Sequence, residues 1–168
     1  MRLPLPLVAI LATAMLAGCK SSPPTELASV FIDNGPSAAP DNVQPVRLPV
    51  SEIPLFVSPR AVVMAERISA VSVVTAGDAD LRQEYVMLVL DAASTQDIAL
   101  LTRDAIGRSF VLVVGTEALG IMRIDRPIGD GRLFFHVEQK GMSNSQAAFS
   151  VAGKIGRMIE AVEKARKK

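Results

Sequence analysis

The sequence has no tryptophan, one tyrosine, one histidine and one cysteine. A single cysteine excludes an internal disulfide and a cysteine-rich zinc site, so the folded part must be held by its apolar core. Aromatic residues make up only 4% of the chain, and 18 Lys+Arg stand against 17 Asp+Glu. There is then neither a stacking platform nor a basic footprint for nucleic acid, which is excluded as a partner. No apolar run reaches the about 20 residues of a bilayer-spanning helix. A Gly-x-Ser-x-Gly elbow and a P-loop are also missing. Asp78, Asp80 and Glu84 lack the spaced acids of a calcium loop and read as a solvated turn. No cofactor or metal is expected.

The amino terminus is distinctive. Met1 and Arg2 give a positive start, and Leu3 to Leu16 is apolar and uncharged, the length of a signal-peptide hydrophobic region. Leu16-Ala17-Gly18-Cys19 follows at once. This motif resembles the lipobox of bacterial lipoproteins. The resemblance implies cleavage before Cys19, a signal peptide over residues 1–18, diacylation of the Cys19 thiol and acylation of the new amine with a palmitate-type chain. Several acyl chains together anchor a protein stably to a bilayer, where one is marginal. Lys20 stands where an aspartate retains enterobacterial lipoproteins in the inner membrane, so the expected location is the cell envelope, at the outer membrane and facing the periplasm if the cell is Gram-negative. Loss of Arg2 with the leader leaves 17 basic against 17 acidic residues.

From Lys20 to about Val50 the composition changes. Seven of the eleven prolines lie between Pro23 and Pro54, with breaker clusters at Ser21–Pro24, Asn34–Ser37 and Pro40–Asn42. Residues 19–51 therefore read as a lipidated cysteine and a mostly disordered linker that gives the domain reach. Leu27–Ile32 is long enough for a brief strand, but its neighbours do not support a packed element.

Residues 52–168 read as one folded domain. Ile53–Val57 is a short edge strand because of Pro54. Val62–Ile68 is ambiguous and suits a short helix. Val71–Thr75 is β-branched, and Tyr85–Leu90 is apolar on both faces, as in a central strand. Ser94-Thr95-Gln96-Asp97 offers a helix start, Ile98, Leu101, Ala105 and Ile106 recur at helical spacing, and Gly107 stops the helix. Phe110–Val114 and Leu119–Ile124 are strands. Arg132–Glu138 alternates, with Leu133, Phe135 and Val137 on one face and Arg132, Phe134, His136 and Glu138 on the other. Ser143–Gln146 has capping-box form, and Val151, Ile155, Met158, Ile159 and Val162 trace one helical face. Lys164, Arg166, Lys167 and Lys168 complement the dipole at that helix's end. The expected fold class is α+β, a mixed or antiparallel sheet with helices packed on one face.

The order and spacing of Val86–Asp91, Leu100-Leu101-Thr102, Ile106-Gly107-Arg108, Val111–Val114, Pro127–Gly131 and Ser143–Ala148 resemble the periplasmic head subdomain of the preprotein translocase subunit SecD, a domain also found alone in envelope lipoproteins. The resemblance covers residues ~53–163 and implies its fold and contact with exported polypeptide. Gly115-Thr116-Glu117 departs from the family's usual Asp-Gly, and Met122 stands where a proline is common. The family's transmembrane helices are missing, which leaves proton-driven translocation out of reach.

His136 lies on the polar face of its strand with no cysteine to partner it, so a solvent-exposed sheet histidine is favoured over a catalytic one. Phe134 is either exposed or covered by the linker or a partner. The sequence thus points to a non-enzymatic, membrane-anchored envelope lipoprotein: a binding module for an envelope protein or exported polypeptide, with Arg132, Phe134 and His136 as the candidate partner surface. The alternatives are a structural, cell-wall-associated lipoprotein and an envelope enzyme using His136.

Overall fold

The structure, a computed structural model, describes residues 26–36, 38–78 and 82–167. The leader, with Leu16, Ala17, Gly18 and the lipidation residue Cys19, lies outside the described residues, as do Asp80 and Lys168. The elements in chain order are β1 (Ala28–Ile32), β2 (Gln44–Arg47), β3 (Pro54–Val57), β4 (Ile68–Ala76), β5 (Gln83–Leu90), α1 (Ala92–Asp104), β6 (Ser109–Val114), β7 (Glu117–Arg123), β8 (Arg132–Val137) and α2 (Asn144–Arg166).

Six strands form one sheet in the order β1-β6-β7-β8-β5-β4, with every neighbouring pair antiparallel. Side chains alternate across a strand, and one face takes the larger core. Val86, Leu88, Phe110, Leu112, Leu133, Phe135 and Val137 point there, against Ile98 of α1 and Val151, Ile155 and Met158 of α2. The fold is therefore α+β, with an antiparallel sheet and its helices on one side.

The linker reading does not survive for the described part of residues 19–51. Ala28, Val30 and Ile32 are buried, and β1 forms a full ladder with β6, from Ala28 opposite Val114 to Ile32 opposite Phe110. The strand is held by its ladder with β6 and by burial in the larger core, and because that partner lies far downstream no local reading detects it. Gln44–Arg47 then pairs antiparallel with Pro54–Val57 as a separate hairpin. A two-stranded sheet leaves each strand an unpaired side, so Pro45 and Pro54 are tolerated. The hairpin sets Leu48, Leu55 and Val57 on Val111 and Ala118, a second, smaller core on the opposite face of the sheet.

Local signals fared unevenly. The capping box is formed: Ser143 Oγ accepts from Gln146 N, and Gln146 Oε1 accepts from Ser143 N. The first helix instead begins earlier than its Ser94–Asp97 signal, because Asp91 caps it and accepts from Ser94 N at 2.7 Å. That hydrogen bond, followed by the Arg67 guanidinium at 3.0 Å, holds the Asp91 carboxyl below its ordinary range. Val62–Ile68 is not an α-helix: Val63 bridges Val30, Ala65–Arg67 is a 3-10 turn and Ile68 opens β4. Gly107 has φ +86° just past α1, the left-handed geometry that makes glycine a helix stop.

Candidate functional site

The partner surface expected on β8 lies where the smaller core stops. Arg132, Phe134 and His136 sit on the sheet face opposite the helices, and the hairpin covers only the β1–β6–β7 side of that face. Register brings β5 beside them: Val89 stands opposite Arg132, Met87 opposite Phe134 and Tyr85 opposite His136. The Tyr85 and His136 rings meet edge-on, with centroids 6.2 Å apart and planes at 72°. Phe134 is 39% exposed and open to solvent. Its backbone N–H donates to the Met122 sulfur at 3.2 Å. Beyond β5, Ala70, Ser72 and Val74 of β4 continue the same face.

Glu138 shares this parity but does something else. Its Oε1 accepts from Val50 N at 3.0 Å, Ser51 N at 3.0 Å and Ser51 Oγ at 2.9 Å. One carboxylate thus clamps the loop between β2 and β3 to the end of β8. Burial pushes the Glu138 carboxyl up, but the bonds from Ser51 and Val50, with His136 nearby, outweigh it, and the group ends below its ordinary value.

The two edges of the sheet are finished differently. Outside β1, the backbone of Val62–Val63 bonds to Val30, with Val30 N donating to Val63 O at 2.8 Å and Val62 N to Val30 O at 2.8 Å. Along β4, the described residues bonded to Ser69–Ala76 all belong to β5. The strand spans nine residues, Ile68-Ser-Ala-Val-Ser-Val-Val-Thr-Ala76, without a charge or a proline. Natural edges are usually blunted by such residues or by bulges. Here only a register irregularity between Ile68 and Ala70 interrupts the ladder.

A cleft of about 420 Å³ adjoins Phe134 and Arg132, bounded by the loop from Asp125 to Asp130. Asp130 Oδ1 accepts from Arg132 N at 3.1 Å, and Arg123 pairs with Asp125 at 3.1 Å. Among the described residues, no three His, Cys, Asp or Glu come together as metal ligands, and no helix is long and apolar enough to cross a membrane. Sequence reasoning missed Tyr85, Met87 and the β4 edge as parts of one surface. The uncharged run Ser69–Ala76 was the available signal, but its place at an edge follows only from strand order.

No known family profile matches the chain, and no curated protein does. Solved structures do resemble it. One, described as a membrane component SecDF that enhances protein export, matches with a TM-score of 0.50 at 12% identity, covering 80% of this chain and 62% of that one. The crystal structure of SecDF in a super-membrane-facing form matches with a TM-score of 0.49 at 13% identity, covering 80% of this chain and 18% of that one. This chain therefore spans less than two thirds of either SecDF chain. At such identities the likeness is one of fold, and the described domain has a SecD-like fold.

Proposed function

We propose that this protein is a lipid-anchored envelope lipoprotein that binds, without catalysis, an extended segment of another polypeptide along the β4 edge and the open sheet face. The observation that carries this reading is the β4 edge, whose outer side has no backbone partner among the described residues and which continues into a face bearing Tyr85, Met87 and Phe134. An incoming strand satisfies its backbone along such an edge, while alternate side chains reach the adjoining face. Arg132 and His136 set the polar margin of that face. The SecD-like fold supports a partner in polypeptide export, since SecDF is itself described as enhancing export. The lipobox supports an anchor on Cys19, and Lys20 favours the outer membrane.

Titrating an unfolded secretory precursor into the isotope-labelled protein tests the reading. Amide shifts concentrated on Ser69–Ala76 and around Phe134, abolished by Val74→Pro on the edge strand, are the expected result. Shifts confined to α1, or none at saturating precursor, would sink it.

A further inference from the structure

The fold begins much closer to Cys19 than a long tether implies. Six residues, 20–25, separate Cys19 from Glu26. At full extension the two Cα atoms are at most about 25 Å apart. Glu26 is bonded to Lys154 of α2 at 3.0 Å, and the Leu27 carbonyl accepts from Gly115 N in the β6–β7 turn at 2.9 Å. The chain therefore enters at the end of the sheet where β1 starts, β6 turns into β7 and β8 finishes.

That same end carries most of the large apolar side chains the fold leaves uncovered. Leu27, Val50, Ile53, Met142 and Phe149 are all between 44% and 63% exposed. Val50 and Ile53 belong to the β2–β3 loop that Glu138 clamps to the end of β8. Met142 lies in the next loop, and Phe149 shares a shallow hollow with it in the first turns of α2. A cleft of about 780 Å³ runs from Leu48 and Glu52 past Thr116 to Met142, joining the hairpin loop, the β6–β7 turn and the β8–α2 loop into one surface. Leu100 of α1 and Ile106 of the turn that follows it, also exposed, lie toward the opposite ends of the strands.

Contiguous exposed apolar patches mark interaction sites, and an anchor within about 25 Å of Glu26, next to Leu27 at this end of the sheet, brings this surface to the bilayer. We propose that this end of the domain rests on the bilayer that holds the chain's own anchor, with Val50, Ile53, Met142 and Phe149 entering the headgroup region. The inference rests on the anchoring reading above and replaces a free tether with a docked, oriented domain. Arg47 and Lys140 are interleaved here with Glu52 and Glu117. Apolar burial rather than net charge therefore drives the contact, which persists at high salt. Docking in this orientation turns α1 and the starts of β4 and β6 away from the membrane.

The absence of tryptophan makes the test clean, because one introduced indole is the only such reporter. Phe149→Trp, Ile53→Trp and Ile106→Trp are made in the full chain, recovered from bacterial membranes and reconstituted into phosphatidylcholine vesicles containing nitroxide-labelled acyl chains. The expected result is blue-shifted emission and several-fold stronger quenching in the Phe149→Trp and Ile53→Trp variants than in the Ile106→Trp variant, unchanged by salt. Equal quenching in all three, or none in any while the protein still floats with the vesicles, overturns the proposal and leaves the patch to a protein partner. Acylation is read separately from the mass of the Cys19 peptide. An unmodified Cys19 removes the anchoring reading. The same variants, coupled through that single thiol to a maleimide-headed lipid, then decide the docking surface by the same quenching pattern.

Discussion

On the helix side of the sheet, Val86, Leu88, Leu133 and Phe135 of β5 and β8 are buried against α1 and α2. On the other side the same two strands carry the half-buried Met87 and the exposed Phe134, while Val111 of β6 lies beneath the β2–β3 hairpin. The first face is held by contact among many large side chains, each weak and together decisive. The second is held by a small core and by carboxylates at the hairpin's ends. Glu138 grips Val50 and Ser51, and Asp33 Oδ1 accepts from Phe56 N at 2.8 Å and Gly35 N at 3.2 Å. One face thus provides the fold's stability, and the other is a surface partly closed by polar clamps.

Substitutions on neighbouring residues sharpen this contrast. Phe135→Ala empties the centre of the helix side and is expected to lose about 3–5 kcal/mol in urea unfolding. A loss below that of Phe134→Ala would invert the comparison. Thr102→Val comes next. The buried Thr102 hydroxyl donates to Ile98 O at 2.7 Å and accepts from Ile128 N at 2.9 Å, tying α1 to the loop before β8. Without it a buried N–H loses its partner, at a cost of about 1–3 kcal/mol.

On the hairpin side, acid should act through Glu138. The folded Glu138 carboxyl titrates below its ordinary value, so its contribution is complete above the unfolded pKa of about 4.3 and is lost as pH falls through the folded one. The amide resonances of Val50 and Ser51 should move in that acid window while those of the α2 core stay fixed. Glu138→Gln should abolish the movement and lower stability by about 1 kcal/mol at neutral pH. Simultaneous movement of both regions would mean that the hairpin does not respond independently. The smallest effect belongs to Phe134→Ala. It should change unfolding by no more than about 0.5 kcal/mol yet weaken precursor binding, measured by the amide titration above.

What the sequence disclosed was mostly what a short window contains. The alternation of Leu133, Phe135 and Val137 predicts the buried side of β8, and Ser143 with Gln146 predicts the start of α2; both are local patterns. The helix start at Asp91 was misplaced because Ser94 also suits a cap, and only backbone geometry shows which residue accepts the bond. β1 and β2 were hidden for another reason. Asn34–Pro36, Pro40 and Pro45 resemble linker composition, whereas Ala28, Val30 and Ile32 gain their burial from β6. Of the site, Arg132, Phe134 and His136 could be assigned to one face from period alone. Tyr85 and Met87 joined them only through the β5–β8 register, and the openness of β4 only through strand order.

The position of β1 also has a mechanical meaning. Tension on the amino-terminal segment enters the fold through this strand, which faces β6 with five residue pairs on one side and is gripped by Val62–Val63 on the other. A load along the strand axis stresses those pairs together in shear instead of opening them one at a time. Withdrawing the strand would also drag Ala28, Val30 and Ile32 out of the large core. The strand thus acts as a clasp, so that a pull on the amino-terminal segment is borne by the sheet as a whole before β1 leaves it.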